Sequence, residues 1–429
     1  MSDESSPLLV RSASAGSSPA SNDVSTSLTF RVAAAMFSFT VLGLFTSSIG
    51  VMLQPISQYY NLSDLRVSLI FLVGPVGYVF GAQSNAFIHS KLGQRGIACL
   101  GPVFHILSAL TIAIRLPYYV VLVAFATVAL GTGLLDGSWC AWAGSMANAN
   151  TVSGLLHGSF SVGAAVGPFV AGTLMEQHRP WYEWYYVLFG ASVLELLVLA
   201  CAFRHDNASK YRNDKPSIEM ISSEVNSKAI LRYRATWMSA AYFLAYVGTE
   251  TAISGWIVSF MVQSRHATLY IASLTSSCFW AGMAVGRLTL GAMTDKIGVG
   301  SATTIYILSS IALELLFVAV REPVVSTIII SLLGFSMGPL FPSGIVVLTQ
   351  LLPKDMHVAA VSFVASVGQV GGAILPFAIG AIVDGVGIRV FQYAIVLFSV
   401  VVLVLWIFVS RLLPASADES AADGGPSDT

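Results

Sequence analysis

Residues 204–234, RHDNASKYRNDKPSIEMISSEVNSKAILRYR, decide how the chain is organised. This long polar stretch interrupts apolar sequence and carries Arg204, Lys210, Arg212, Lys215, Lys228, Arg232 and Arg234. On either side the pattern reverses into apolar runs of about 20 residues, each long enough to cross a bilayer as a helix. We read six runs before the linker, near 31–54, 65–89, 96–115, 118–147, 153–176 and 182–203. Six more follow it, near 235–262, 268–293, 300–320, 324–350, 356–382 and 388–411. The expected fold is an all-α polytopic membrane protein whose twelve transmembrane helices form two six-helix bundles, 31–203 and 235–412, joined by a cytoplasmic linker at 204–234. The flanks, 1–30 and 413–429, are polar, lack periodic apolar positions and are expected to be disordered cytoplasmic tails.

Composition supports this division. The 429 residues are 55% hydrophobic and only 10% charged, with a mean hydropathy of +0.76. Soluble domains carry about 25% charged residues, so a soluble enzyme, a secreted domain and a DNA-binding protein are excluded. The net charge of −1 argues against a nucleic-acid partner. The four cysteines, Cys99, Cys140, Cys201 and Cys278, lie in apolar runs without metal-type spacing, so no metal site and no disulfide framework is expected. No His-Glu-x-x-His motif, Gly-x-Ser-x-Gly elbow or phosphate loop occurs, so neither an enzyme nor a cofactor is expected. The amino-terminal tail lacks the continuous apolar core of a secretory signal.

Basic residues set the expected orientation. With the amino terminus inside, most of the 21 Lys and Arg residues, including all seven of the linker, fall on the cytoplasmic side. Both termini are then cytoplasmic. Pairs of short motifs also recur in the two halves: Pro168-Phe169-x-x-Gly172 with Pro376-Phe377-x-x-Gly380, and Leu-Glu-Leu-Leu around Glu195 and Glu314. The glycine- and base-rich ends of the second and eighth runs match as well, and together these motifs indicate a parallel repeat.

The run Gly291-x-x-x-Asp295-Lys296-x-Gly298, with Arg287 before it, resembles a signature of the major facilitator superfamily. The copy near Lys91 and Arg95 has Ser90 where that signature has Asp. The resemblance implies a cytoplasmic latch made by Arg287, Gly291, Asp295 and Lys296, with Arg95 in the weaker first-half counterpart. Gly131-x-Gly133-x-x-Asp136-x-x-Trp139, the Leu156–Pro168 segment and Tyr246-x-Gly248-x-Glu250, followed by Gly255-Trp256, resemble the fucose-permease branch, in particular its fungal bypass-of-stop-codon type. In that fold helices 1, 4, 7 and 10 line a central cavity. The resemblance therefore implies that Asp136 and Glu250 face it, that His157 lies beside it, and that Asp136 shares in proton coupling. The branch's acidic residue on helix 1 has no counterpart in Ser48–Pro55.

Ionisable side chains at membrane depth are costly and each invites a functional reading. Tyr242, Tyr246 and Glu250 follow at four-residue spacing on one helical face, an arrangement suited to a polyhydroxylated solute. Asp136 with Trp139 offers a second acidic position, whose alternative is a carboxylate bonded to backbone or Thr132. His157 reads equally as a proton relay or as a satisfied interface residue. Gln54, Gln369, Trp256 and Asn85 are candidate neutral cavity residues. Glu195, Glu314 and His105 fall on supporting helices, where packing explains them. Gly334-x-x-x-Gly338-Pro339-x-Phe341-Pro342-x-Gly344 predicts a broken tenth helix with freed carbonyls.

The expected function is secondary active transport of a small polar solute, with a sugar as one candidate, coupled to protons and working by alternating access as a monomer in the lipid bilayer. The alternatives are a uniporter, a drug/proton antiporter, or a nutrient receptor that moves nothing. Glu4, Leu8 and Leu9 fit an acidic dileucine sorting signal read by vesicle-coat adaptors, so the plasma membrane and a vacuolar or endosomal membrane both remain candidates.

Overall fold

The computed structural model describes residues 20–146, 148–209, 229–353 and 356–412. The sorting motif at Glu4, Leu8 and Leu9, the central part of the linker and the carboxy-terminal tail lie outside the described residues. Among the described residues the regular elements are all helical: α1 Ala20–Tyr60, α2 Asp64–Val67, α3 Leu69–Ala113, α4 Tyr118–Gly144, α5 Ala149–Glu176, α6 Glu183–Ala202, α7 Arg234–Arg265, α8 Leu269–Ile297, α9 Val299–Ala319, α10 Pro323–Met337, α11 Leu340–Leu351, α12 His357–Val386 and α13 Val390–Ser410. A 3₁₀ turn, Ile230–Arg232, precedes α7.

Among the described residues, ten segments are long and apolar enough to cross a membrane. The 50-residue segment Asp64–Ala113 exceeds what one crossing needs, about 20 residues. It turns at Gly93, whose φ of 73° and ψ of −171° interrupt α3. Only glycine fits there. The conformation is left-handed, and a Cβ would come within 2.3 Å of the Asn207 backbone. The 32-residue α7 is not among the ten, because Tyr242, Thr249, Glu250, Thr251 and Ser254 dilute its apolar character. Further on, α10 and α11 are separated at Gly338-Pro339, where the paired prolines predicted a break.

Small residues let certain helices approach backbone to backbone, the usual means of helix association in lipid. Gly43 and Gly163 join α1 to α5, and Gly77, Gly81 and Gly133 join the first arm of α3 to α4. Gly248 and Gly371 join α7 to α12 in the same way, and Gly282, Gly286 and Gly334 join α8 to α10. Each contact type thus occurs once before the linker and once after it.

Contacts between the two sets of helices concentrate at the end far from the linker. There Gly50 of α1 abuts the Ser254 carbonyl of α7, Gly172 of α5 abuts Ser273 of α8, and Ser68 abuts Gly380 of α12. Leu65 N–H also donates to Asp384 Oδ1 at 3.4 Å. At the linker end a Cβ on Gly144, Gly154, Gly158 or Gly291 would meet no atom within 4 Å. The two sets of helices are closed against each other at the end far from the linker.

Candidate functional site

The break between α10 and α11 organises the carboxy-terminal side of the site. Proline at 342 cannot donate to the Gly338 carbonyl one helical turn earlier. Arg287 Nε, from α8, donates to that carbonyl at 3.3 Å. The neighbouring Met337 and Leu340 carbonyls accept from the hydroxyls of Tyr246 (3.1 Å) and Tyr242 (3.0 Å). Around the same guanidinium, Nη1 donates to Ser161 Oγ of α5 at 3.2 Å, and Nη2 lies 3.1 Å from Met283 Sδ and 3.9 Å from Glu250 Oε1. At 3.9 Å the Arg287–Glu250 pair is an ion pair beyond direct hydrogen-bond reach. Both side chains are partly exposed, at 24% and 13%.

Across from it stands an acidic site on α4. Tyr78, from the first arm of α3, donates its hydroxyl to Asp136 Oδ2. Cys140, one turn along from Asp136, places its thiol 3.5 Å from Oδ1 and 4.0 Å from His157 Nε2 of α5. Phe39 meets the His157 ring edge-on at 5.6 Å. His157 and Ser161 share α5 one turn apart, and the Ser161 hydroxyl donates to the His157 carbonyl at 3.0 Å. A polar series therefore runs from Tyr78 and Asp136 through Cys140 and His157 to Ser161, Arg287 and Glu250. It crosses from the first set of helices to the second.

Between the first helices and α7 and α12 lies a cavity of about 160 Å³, lined by Phe45, Phe71, Tyr78, Thr132, Thr251 and Gln369 among others. Gln369 is the expected neutral residue that reaches it.

Several other expected site residues are placed differently. Trp139 is fully buried and stacks on Phe203 at 4.5 Å, turned toward α6. The three-residue step from Asp136 rotates it by about 60° around the helix, enough to leave the cavity face. Tyr246 is fully buried, stacked on Tyr242 at 6.1 Å, and its hydroxyl donates to the Met337 carbonyl at the α10–α11 break while standing beside Glu250. It braces the site and offers no free face to a solute. Trp256 is fully buried and donates to the Pro376 carbonyl at 2.8 Å. The Gln54 Oε1 is buried and has no hydrogen-bond partner among the described residues.

The expected latch is not assembled. Arg287 sits with Glu250 and Ser161, while Asp295 and Lys296 are exposed and have no ion-pair partner among the described residues. Eight residues separate Arg287 from Asp295, about 12 Å of helix rise, so one reaches the interior while the other stays at the helix end. Gly291 faces open space. The Arg95 side chain is exposed, and its backbone N–H donates to the Asp206 carbonyl at 3.0 Å.

Sequence reasoning missed a clasp at this end. Arg31 pairs with Asp206 and lies over the Trp142 and Phe203 rings at 5.2 and 4.9 Å. It also missed the partners of the supporting acids. Glu195 accepts from Ser38 Oγ at 2.6 Å and pairs with His105 Nδ1 at 2.9 Å, all three fully buried. Glu314 accepts from Ser399 at 2.7 Å. The roles of Tyr78, Ser161 and Arg31 carried no local signal, since each depends on a partner at least 58 residues away.

A family model described as Major Facilitator Superfamily matches residues 35–331 and again 238–427. The chain is 27% identical over 388 residues to Bypass of stop codon protein 6 of Saccharomyces cerevisiae, covering 84% of this chain and 78% of the relative. It is 22% identical to the glucose/mannose transporter GlcP of Bacillus subtilis, over 80% of this chain and 85% of that one. Among solved structures, the nucleoside transporter NupG superposes with a TM-score of 0.71 at 13% identity, covering 89% of this chain and 98% of NupG. The E. coli fucose:proton symporter FucP superposes with a TM-score of 0.58 at 17% identity, with the same coverage. Both structural likenesses are of fold.

Proposed function

Because this chain belongs to the major facilitator superfamily of multi-pass membrane transporters, we propose that it is a secondary active transporter that moves a small polar solute, of sugar-like chemistry, together with protons by alternating access. The two arms of the Asp64–Ala113 segment, taken separately, and α7, added to the ten apolar segments, make twelve crossings, six on each side of the linker. The once-before, once-after helix contacts support a pair of six-helix bundles. Positive-inside bias orients the linker and both termini to the cytoplasm, so the end where the two sets of helices close on each other is the one away from the cytoplasm.

The observation that carries the reading is the charge balance of the polar series. Two carboxylates, Asp136 and Glu250, stand against one guanidinium, Arg287, which itself is held between α5 and the α10–α11 break. Intramembrane charge is costly unless balanced. With His157 neutral, the series has one negative charge in excess, and a proton is the simplest counter-charge. A hydroxylated solute fits because carboxylates accept from its hydroxyls while the guanidinium donates to its oxygens. The sugar-transporter relative supports that chemistry.

The test is uptake of radiolabelled hexose into proteoliposomes with and without an inward proton gradient. Gradient-driven accumulation is expected, and Glu250→Gln should abolish it at normal protein levels. Flux that ignores the gradient would leave a uniporter, and accumulation at wild-type levels in Glu250→Gln would remove Glu250 from the mechanism.

A further inference from the structure

The 160 Å³ cavity has a wall chemistry that the polar series does not share. Its sides are Phe45, Ile49, Ile70, Phe71, Phe125 and Val128. The threonines on its wall are not free donors. Thr46 donates to the Leu42 carbonyl at 2.9 Å, Thr132 to Val128 at 3.0 Å and Thr251 to Val247 at 2.8 Å, each within its own helix. The Tyr78 hydroxyl is taken by Asp136. Among the described residues that leaves the Gln369 amide and the Tyr185 hydroxyl as the polar side-chain groups of the wall without a hydrogen bond. A hexose, hydroxylated at nearly every carbon, would find few free donors here for its oxygens, and each one left unpaired in such a space weakens binding. An apolar ring would leave none unpaired, and an apolar cavity of about 150 Å³ accommodates a benzene ring.

Position ties this cavity to transport. Tyr78 is both its wall and the donor to Asp136, and Thr251 follows Glu250 directly in sequence. Thr251, Gln369 and Gly372 come from α7 and α12, while the rest of the wall comes from helices before the linker. A ring held here touches both sets of helices and lies beside the Tyr78–Asp136 hydrogen bond.

We propose that the cavity is a subsite for a ring-sized apolar group, so that the preferred solute is amphipathic, an aryl or cycloalkyl glycoside in chemical class, held more tightly than a bare hexose. The proposal rests on the sugar-like reading above for the polar half of the solute alone. The apolar half is argued from the cavity wall.

The experiment measures binding of phenyl β-D-glucoside, methyl β-D-glucoside and benzyl alcohol to the full chain in lipid nanodiscs by calorimetry. Phenyl glucoside is expected to bind at least tenfold more tightly than methyl glucoside. Gly74→Leu is expected to erase that ratio, because Gly74 lines the cavity and a Cβ there meets no atom within 4 Å, leaving the leucine free to grow into it. Gly154→Leu, equally open but on α5 outside the cavity wall, is expected to keep the ratio. Equal affinity for the two glucosides, or a ratio that survives Gly74→Leu, overturns the subsite while leaving the sugar reading intact. Benzyl alcohol binding that Gly74→Leu removes, with neither glucoside bound, supports the subsite and rejects the sugar. Failure of all three probes overturns both.

Discussion

Gly50→Ala tests whether the closed end is one side of a conformational equilibrium. A Cβ at Gly50 would lie 2.2 Å from the Ser254 carbonyl oxygen and 3.1 Å from that of Gly255, and real Cβ contacts are essentially never under 3.0 Å. Both atoms belong to the α7 backbone, so no side chain can swing aside. The helices must part by about 1 Å, and a gap of 0.5–1 Å already forfeits a quarter to a half of each dispersion contact. Overpacking of this kind costs about 1–3 kcal/mol. If a second state opens this end and relieves the clash, the whole cost falls on the closed state, and the population ratio moves by about 5- to 150-fold, at tenfold per 1.4 kcal/mol. The readout is a cysteine at Ser273, which is 1% exposed against Gly172, in a background lacking the four native cysteines. An impermeant maleimide applied from the side of Tyr60 and Glu176 should label Ser273→Cys slowly, and at least five times faster once Gly50→Ala is added. Unchanged labelling accompanied by a lower melting temperature would mean that the clash is absorbed within a single conformation, and the two-state reasoning would fail.

Two further substitutions separate support from function. Glu195→Ala leaves His105 Nδ1 and Ser38 Oγ buried without their acceptor, so we expect a loss of about 3–5 kcal/mol and poor expression, whereas Glu195→Gln keeps an acceptor and recovers much of the folded protein. Size-exclusion yield and thermal melting decide this, and equal behaviour of the two variants would show that the network is not what the carboxylate serves. Arg31→Ala removes the Asp206 ion pair and the two ring contacts of the clasp, for a loss of about 1–2 kcal/mol seen as a lower melting temperature with unchanged solute affinity. A changed affinity with unchanged melting would place Arg31 in the transport cycle instead.

The parts of the molecule readable in one dimension were those set by local chemistry. Apolar length marked most of the helices long enough to cross a membrane, and the polar 204–234 stretch falls between α6 and α7. The α10–α11 break followed from Pro339 and Pro342, because a missing N–H is a local fact. Nothing in the Leu-Glu-Leu-Leu runs indicates that Glu195 meets His105 while Glu314 meets Ser399. What could not be read were the partners of side chains brought together over long separations. Helical spacing grouped Tyr246 with Glu250 correctly on one stretch of α7, yet the tyrosine hydroxyl was drawn to a carbonyl 91 residues later. Trp139 went to Phe203 because a three-residue step is not a full turn. Arg287 was grouped with Asp295 because a motif joins them in sequence, and 12 Å of helix separates them in space.

That last displacement links the hinge to the charges. Pro342 orphans the Gly338 carbonyl, and the side chain that satisfies it is the same one that stands by Glu250 and reaches Ser161 across the boundary between the two sets of helices. The α10–α11 segment cannot straighten or swing without disturbing the Arg287 Nε bond. Nor can α5 move away from α8 at this depth without breaking the Nη1 bond to Ser161. Either movement frees the guanidinium to close the 3.9 Å gap to Glu250. The helix break, the charged pair and the contact between the two sets of helices therefore meet in a single residue. A lysine in its place, with one compact ammonium and no planar fork, could not hold all three contacts at once.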